Sequence, residues 1–257
     1  MSGEWQTVLR RKNGNKIMTQ TLQQRMASDP FDSPSEDVNA PGGEERVLAL
    51  RREIEDLLSS LRLHCSSFLH RIKENLPIRE EETDLICLGI GRFSSSESAK
   101  LQFALAVHLR ECLPALRTMV YDPGFGALEI AVCKQLEFEV LSENLYGKYG
   151  VQRKTVFFMP HCPYRLYCNV LWRNRLRLHD LVILGNSFLS YSLRRMSSDS
   201  EMDRTDLVAI LSSHVDESVV YLEEEPHLRD KVPPWFDRAF NDLRYPAHHI
   251  INVNDRS

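Results

Sequence analysis

Two glycines, a run of serines, an aspartate and an adjacent histidine and cysteine are the residues of this chain that could do chemistry. The stretch LICLGIGRFSSSES spans Leu85 to Ser98. Gly89 and Gly91 follow an apolar run. That is where a dinucleotide-binding turn lets backbone approach a pyrophosphate beside a helix N-terminus. The third glycine of the pattern is absent, and Ser94 stands in its place. Gly89, Gly91 and Ser96 are the candidate cofactor contacts of this turn. A competing account needs no ligand: Ser94 and Glu97 are spaced as S-x-x-E, a capping box that satisfies free amides at a helix start. From these residues alone, a cofactor turn and a capped corner both stand.

Asp122 closes the next apolar run. An acid at that place accepts ribose hydroxyls in Rossmann domains, about 20 residues beyond the glycines. Here it lies 33 residues after Gly89 (122 − 89), because a long helix intervenes. The alternative is that Asp122, Pro123 and Gly124 cap and shape the start of the next helix. The segment MPHCPY places His161 and Cys162 at the end of a further strand. The pair suggests a metal site, a base with a nucleophile, or, since Cys-Pro occurs in some heme-responsive proteins, a thiolate for heme iron. Adjacent side chains on extended backbone point opposite ways, which argues against one shared site. His108, His179 and His214 are the candidates for a third ligand. LVILGNSF ends another strand with Gly185, Asn186 and Ser187, and Asn186 is the fifth candidate cofactor contact.

These residues need a scaffold, and the periodicity supplies one. Val47, Leu50, Ile54, Leu57, Leu58, Leu61, Cys65, Phe68, Leu69 and Ile72 recur at three- and four-residue steps, which predicts one long amphipathic helix from about Glu45 to Asn75. Strands and helices then alternate. Their continuous apolar strands imply burial on both faces, hence helices on both sides. The expected fold is a doubly wound, Rossmann-like α/β domain with a mostly parallel sheet, spanning residues 45–257. Gly89, Asp122, His161 and Asn186 then share the rim at the strands' carboxyl ends, where ligand crevices form. Residues 1–44 are poor in large apolar residues and rich in Ser, Pro, Gly and acid before the helix, and are expected to be disordered. Ser190 to Arg204 is expected to be a polar loop. Trp235 and Phe236 read as packing of the C-terminal segment, with a partner-binding hook as the alternative.

Composition narrows the function classes. The chain has 257 residues, 42% hydrophobic and 26% charged, with net charge -4. That balance gives no global pull toward nucleic acid or an anionic membrane. No apolar run approaches the roughly 20 residues of a membrane span. The first residues lack the apolar core of a secretory leader, so the expected compartment is the cytoplasm, with the nucleus open through the basic cluster Arg10, Arg11, Lys12 and Lys16. The six cysteines form no CxxC pair. Cys65, Cys87, Cys112 and Cys133 fall within apolar patterns, as reduced thiols do in a cytosolic core.

Four blocks taken together resemble a known family: LGIGRFSSSESAKLQFALAVHL, YDPGFGALEIAVCKQLEFEVL, FFMPHCPYRLYCNVLW and LVILGNSF. They are similar to the ordered blocks of the sensitivity-to-red-light-reduced (SRR-like) family. The resemblance covers roughly Leu85 to Phe188, with weaker support to about Asn241. It implies a regulatory protein of circadian rhythm and clock-gene expression, linked to heme biosynthesis. It brings no established catalytic activity and no proven cofactor. It makes Gly89, Gly91, Ser96, Asp122, Pro123, Glu129, Pro160, His161 and Cys162 candidate site residues without assigning roles. Two other functions stay open: a transferase using a nucleotide-type cofactor such as S-adenosylmethionine, and a heme sensor acting through Cys162. Protein partners are expected, of unknown identity.

Overall fold

The computed structural model describes residues 38, 40–76, 82–113, 115–196, 207–212, 216–220 and 248–252. The basic cluster, nearly all of the 1–44 segment, His214, and Trp235 and Phe236 lie outside the described residues.

The predicted first helix exists but is two helices. α1 spans Gly43–His64 and α2 spans Ser66–Asn75. Cys65 leaves the helical region (φ −127°, ψ 32°) and is wholly buried. Phe68, Leu69 and Ile72 remain buried beyond the break, so the apolar stripe continues across it. The chain then alternates: β1 (Thr83–Leu88), α3 (Glu97–Cys112), β2 (Ala115–Tyr121), α4 (Ala127–Gln135), β3 (Glu139–Val140), β4 (Thr155–Met159), α5 (Tyr164–Arg173), β5 (Leu181–Gly185), α6 (Phe188–Met196), α7 (Leu207–Leu211), β6 (Asp216–Val220) and β7 (His248–Asn252). The expected loop from Ser190 is corrected: Ser190 to Met196 is the body of α6. Its apolar residues Phe188, Leu189, Tyr191 and Leu193 carry a helical spacing that the surrounding serines and arginines mask.

The sheet order is β3-β2-β1-β4-β5-β7-β6. The first five strands are parallel, and β7 and β6 extend the sheet antiparallel. Every residue of β1, β4 and β5 is buried, as parallel strands covered on both sides require. On one face α1 to α4 cover Leu85, Cys87, Val156, Phe158 and Leu184. On the other, Ile86, Leu88, Phe157, Met159 and Ile183 pack with Tyr167, Val170 and Leu171 of α5, Phe188 of α6 and Val208 of α7. The alternation along each strand assigns neighbours to opposite cores. The fold is therefore the doubly wound, Rossmann-like arrangement. Among the described residues no helix is long and apolar enough to cross a membrane.

Candidate functional site

From β1 the chain goes through α3 to β2 on one side, then returns from β3 to β4 on the other side of β1. The topological switch point of this sheet is thus between the carboxyl ends of β1 and β4. The turn after β1 carries Gly89 and Gly91, and the turn after β4 carries Pro160, His161 and Cys162. Asp122 follows β2, and Asn186 follows β5. The rim predicted from the sequence is assembled.

The glycine turn needs its glycines. Gly89 has φ 69° and Gly91 φ 84°, left-handed values that residues with a Cβ avoid. A Cβ on Gly89 would also lie 2.5 Å from Cys162 Sγ. Ile90 and Phe93 are buried, and Phe93 stacks on Phe103 of α3 at 4.3 Å. The turn is anchored from beneath, and its amides face the neighbouring loop.

Two of those amides are already bound by carboxylates of the chain. Gly91 N–H donates to Asp122 Oδ2 at 2.8 Å, and Ser94 N–H donates to Glu129 Oε1 at 3.1 Å. Gly124 N–H donates to Asp122 Oδ1 at 2.7 Å, and Gly126 N–H to Glu129 Oε2 at 2.9 Å. Glu129 is wholly buried, and Arg92 Nε lies 3.8 Å from it. A dinucleotide turn would offer such donors to phosphate; here two carboxylates of the chain occupy them. The S-x-x-E expectation is corrected: Ser94 does not cap α3 with Glu97. Ser96 is the N-cap, its Oγ accepting from Ala99 N–H at 3.3 Å, while Glu97 pairs with Lys100 at 2.8 Å. The Ser94 amide, which a capping box would give to Glu97, goes to Glu129. Asp122 keeps lone pairs beyond its two amide bonds, so a ribose hydroxyl could still be accepted at the rim.

Cys162 is 2% exposed and donates its thiol to Leu88 O at 3.3 Å. Burial, and then the Asp122 charge, push the thiol far above its ordinary pKa. It plugs the switch point with its S–H on a backbone carbonyl, and burial disfavours the thiolate that iron ligation and nucleophilic attack would need. His161 has φ 51° and is partly exposed. Of the proposed third ligands, the two among the described residues do not converge on it. His108 is on α3, over the other face, beside Cys112 Sγ at 3.3 Å. His179 lies just before β5, at the opposite end of that strand from Asn186. Among the described residues no group of three or more His, Cys, Asp or Glu is placed to hold a metal ion.

Asn186 belongs to a network that the sequence reading missed. Its N–H donates to Tyr167 Oη at 2.8 Å, and its Nδ2 donates to Tyr191 Oη at 2.8 Å. Tyr167 Oη donates to Met159 O and Tyr191 Oη to Cys162 O, each at 2.6 Å. The available signal was chemical: a tyrosine on an apolar helix stripe must find a partner for its hydroxyl. Beside the serines, under α1, a cavity of about 340 Å³ is lined by Arg46, Glu53, Arg92, Ser94, Ser95 and Lys100. Lys100 is held there by Glu53 at 2.7 Å, so acid and base share the lining.

A model of the SRR1 domain matches residues 61–246. The chain belongs to the SRR1 domain family. Its described relatives include a mouse SRR1-like protein, 39% identical over 54% of this chain and 60% of that protein. A Drosophila melanogaster SRR1-like protein is 26% identical over 70% of this chain and 61% of that one. The Arabidopsis thaliana Protein SENSITIVITY TO RED LIGHT REDUCED 1 is 33% identical over 48% of this chain and 46% of that protein. The matches thus span about half to three fifths of these relatives' lengths. The family read from four sequence blocks is the family found, and the SRR1 domain match includes the glycine turn, Asp122, Glu129 and Cys162.

Proposed function

We propose that this SRR1 domain chain is a regulatory protein of circadian timing and clock-gene expression that also acts in control of heme biosynthesis. It works through protein partners in the cytoplasm and nucleus. One observation carries the reading: the turn that would hold a nucleotide is closed by Asp122 and Glu129, and Cys162 fills the crevice beside it. A closed switch point suits a protein that acts by its surface more than one that turns over a cofactor. The name of the Arabidopsis relative, which concerns sensitivity to red light, supports a regulatory role. The circadian and heme assignments rest on the family resemblance. The test is loss of the chain in cultured cells, read as clock-gene rhythm and total heme. A change in both is expected; normal rhythm and normal heme would overturn the assignment.

A second reading has Asp122 in its favour. An S-adenosylmethionine-dependent transferase would place a ribose against that carboxylate, with Gly89, Gly91, Ser96 and Asn186 around the ligand. The discriminating measurement is thermal unfolding with S-adenosylmethionine, NAD, ATP and hemin. A ligand at about 100 times its dissociation constant adds about 2.7 kcal/mol, roughly 5–11 °C for a domain of this size. No nucleotide shift is expected. A shift with one nucleotide, lost in Asp122→Ala while circular dichroism stays native, would favour the transferase. A hemin Soret band lost in Cys162→Ala and His161→Ala would favour a heme sensor instead.

A further inference from the structure

The outer side of α5 carries an apolar line that the crevice does not use. Trp172 is 51% exposed, Leu176 85% and Tyr146 65%. Asn169 Nδ2 donates to Tyr146 O at 2.7 Å, which fastens the β3–β4 connection to the helix. Asn169 and Trp172 are three residues apart and so share a face, and Leu176 follows in the turn after Arg173. Tyr146 holds φ 51°, its N–H bound to Asn144 Oδ1 at 3.0 Å, so a fixed backbone presents the ring. Single exposed leucines are ordinary. A tryptophan stacked with an arginine on an ordered helix has the composition of a binding hot spot.

Charge narrows the partner. The chain is net negative, yet Asn144 to His179 contains seven Lys and Arg and no Asp or Glu. Arg153 is paired with Glu82 at 3.0 Å, Arg177 with Asp180 at 3.2 Å, and Lys154 donates to His179 O. Among the described residues Lys148, Arg165, Arg173 and Arg175 have no carboxylate partner. Arg175 stacks over Trp172 at 5.0 Å, which joins the cationic and apolar parts into one surface.

We propose that this surface binds an acidic segment of a protein partner. An aromatic or leucine side chain of that segment packs against Trp172 and Leu176, and its carboxylates meet Arg165, Arg173 and Arg175. The aliphatic anchor Leu176 favours a peptide over nucleic acid, whose bases stack on rings and whose phosphates gain nothing from leucine. The site goes beyond the regulatory reading and stands apart from the crevice, so either can fail without the other.

The test pans the full-length chain against a random linear-peptide library and measures the enriched peptides by fluorescence anisotropy. Enriched sequences should carry several Asp or Glu around a Leu, Phe or Trp. Trp172→Ala should weaken binding at least about 30-fold, the scale of a hot-spot residue. The Arg165→Glu/Arg175→Glu variant should weaken it at least about tenfold, with a steeper effect at low salt. All these side chains are exposed, so the melting temperature should stay near that of the parent. Enrichment without acidic residues, or binding indifferent to Trp172→Ala, would overturn the proposal. Two further outcomes would also overturn it: a single-stranded DNA oligonucleotide bound through Trp172, or self-association abolished by Trp172→Ala.

Discussion

The two turns that flank the switch point are fastened by opposite chemistry. On the β1 side, carboxylates accept from backbone amides: Asp122 from Gly91 and Gly124, Glu129 from Ser94 and Gly126. On the β4 side, hydroxyls and a thiol donate to backbone carbonyls: Tyr167 to Met159, Tyr191 to Cys162, and Cys162 to Leu88. The first arrangement is an anion-binding turn supplied with anions by its own chain. The second is a piece of packed core with its polar groups satisfied internally. They meet where Gly89 leaves room for Cys162. The amides of Gly91 and Ser94 and the carbonyls of Leu88, Met159 and Cys162 are thus taken by the chain's own side chains, and this is why the rim reads as closed.

The largest effect should come from breaking the carboxylate side at its buried member. Glu129→Ala removes an acceptor from two amides and leaves Arg92 facing an uncompensated cavity. Arg92 is partly exposed and can be solvated, so the cost falls on the two amides left without an acceptor, about 1–3 kcal/mol each. Urea unfolding should show that loss, and Glu129→Gln should show less, since its oxygen still accepts one bond. A loss under about 1 kcal/mol, the scale of an exposed pair, would mean that Glu129 does not hold the turn.

The junction comes next. Gly89→Ala forces a left-handed residue to carry a Cβ that would lie 2.5 Å from Cys162 Sγ. Together the backbone cost and the overpacking should destabilise by about 2–3 kcal/mol. Cys162→Ala in the same chain removes the obstructing sulfur and should restore about 1 kcal/mol of it. Strict additivity of the two substitutions would mean that the turns do not touch.

Much of this was legible beforehand, and the exceptions share a cause. β1, β4 and β5 announce themselves because parallel strands buried on both faces are apolar throughout. The rim residues follow from strand ends, which topology brings together. The break at Cys65 was not legible, because the apolar stripe continues across it without a change of period. β7 was not legible as a strand, since its pairing with β5 depends on contacts far away in the chain. Glu129 looked like a family position without a role: an acid in an apolar helix reveals its work only when the turn 35 residues earlier is seen to place an amide on it.

On the β4 side, Tyr167→Phe keeps the ring, wholly buried and edge-on to Phe188 at 5.9 Å, and deletes only the hydroxyl. Asn186 N–H loses its acceptor and Met159 O its donor. Unsatisfied groups of this kind cost about 1–3 kcal/mol, with Asn186 at the low end because it is part-buried. Chemical denaturation should find a loss near about 1–2 kcal/mol, smaller than for Glu129→Ala, because a neutral hydroxyl is lost and not a carboxylate that accepts from two amides. An equal or larger loss would reverse the ranking of the two sides.

The smallest effect near neutrality concerns the thiols, and it tests whether the crevice is closed in solution. Burial raises Cys65, Cys87, Cys133 and Cys162 above their ordinary value of 9.0, Cys65 to about 12. A raised folded pKa means that folding favours the protonated thiol. This contribution to stability is complete below pH 9.0 and is lost as pH climbs through the folded values. Unfolding free energy should therefore show no thiol-linked slope from pH 7 to 8 and a decline beyond pH 9.0. Iodoacetamide at pH 8 should modify the half-buried Cys112 and Cys168 first. Cys162 should react as slowly as Cys87, which lies mid-sheet, although it sits at the end of the crevice. Mass spectrometry of the alkylated peptides reads this directly. If Cys162 reacts as fast as Cys112, the β4 turn opens in solution, its thiol reaches solvent, and the contrast between a self-liganded turn and a sealed one no longer holds.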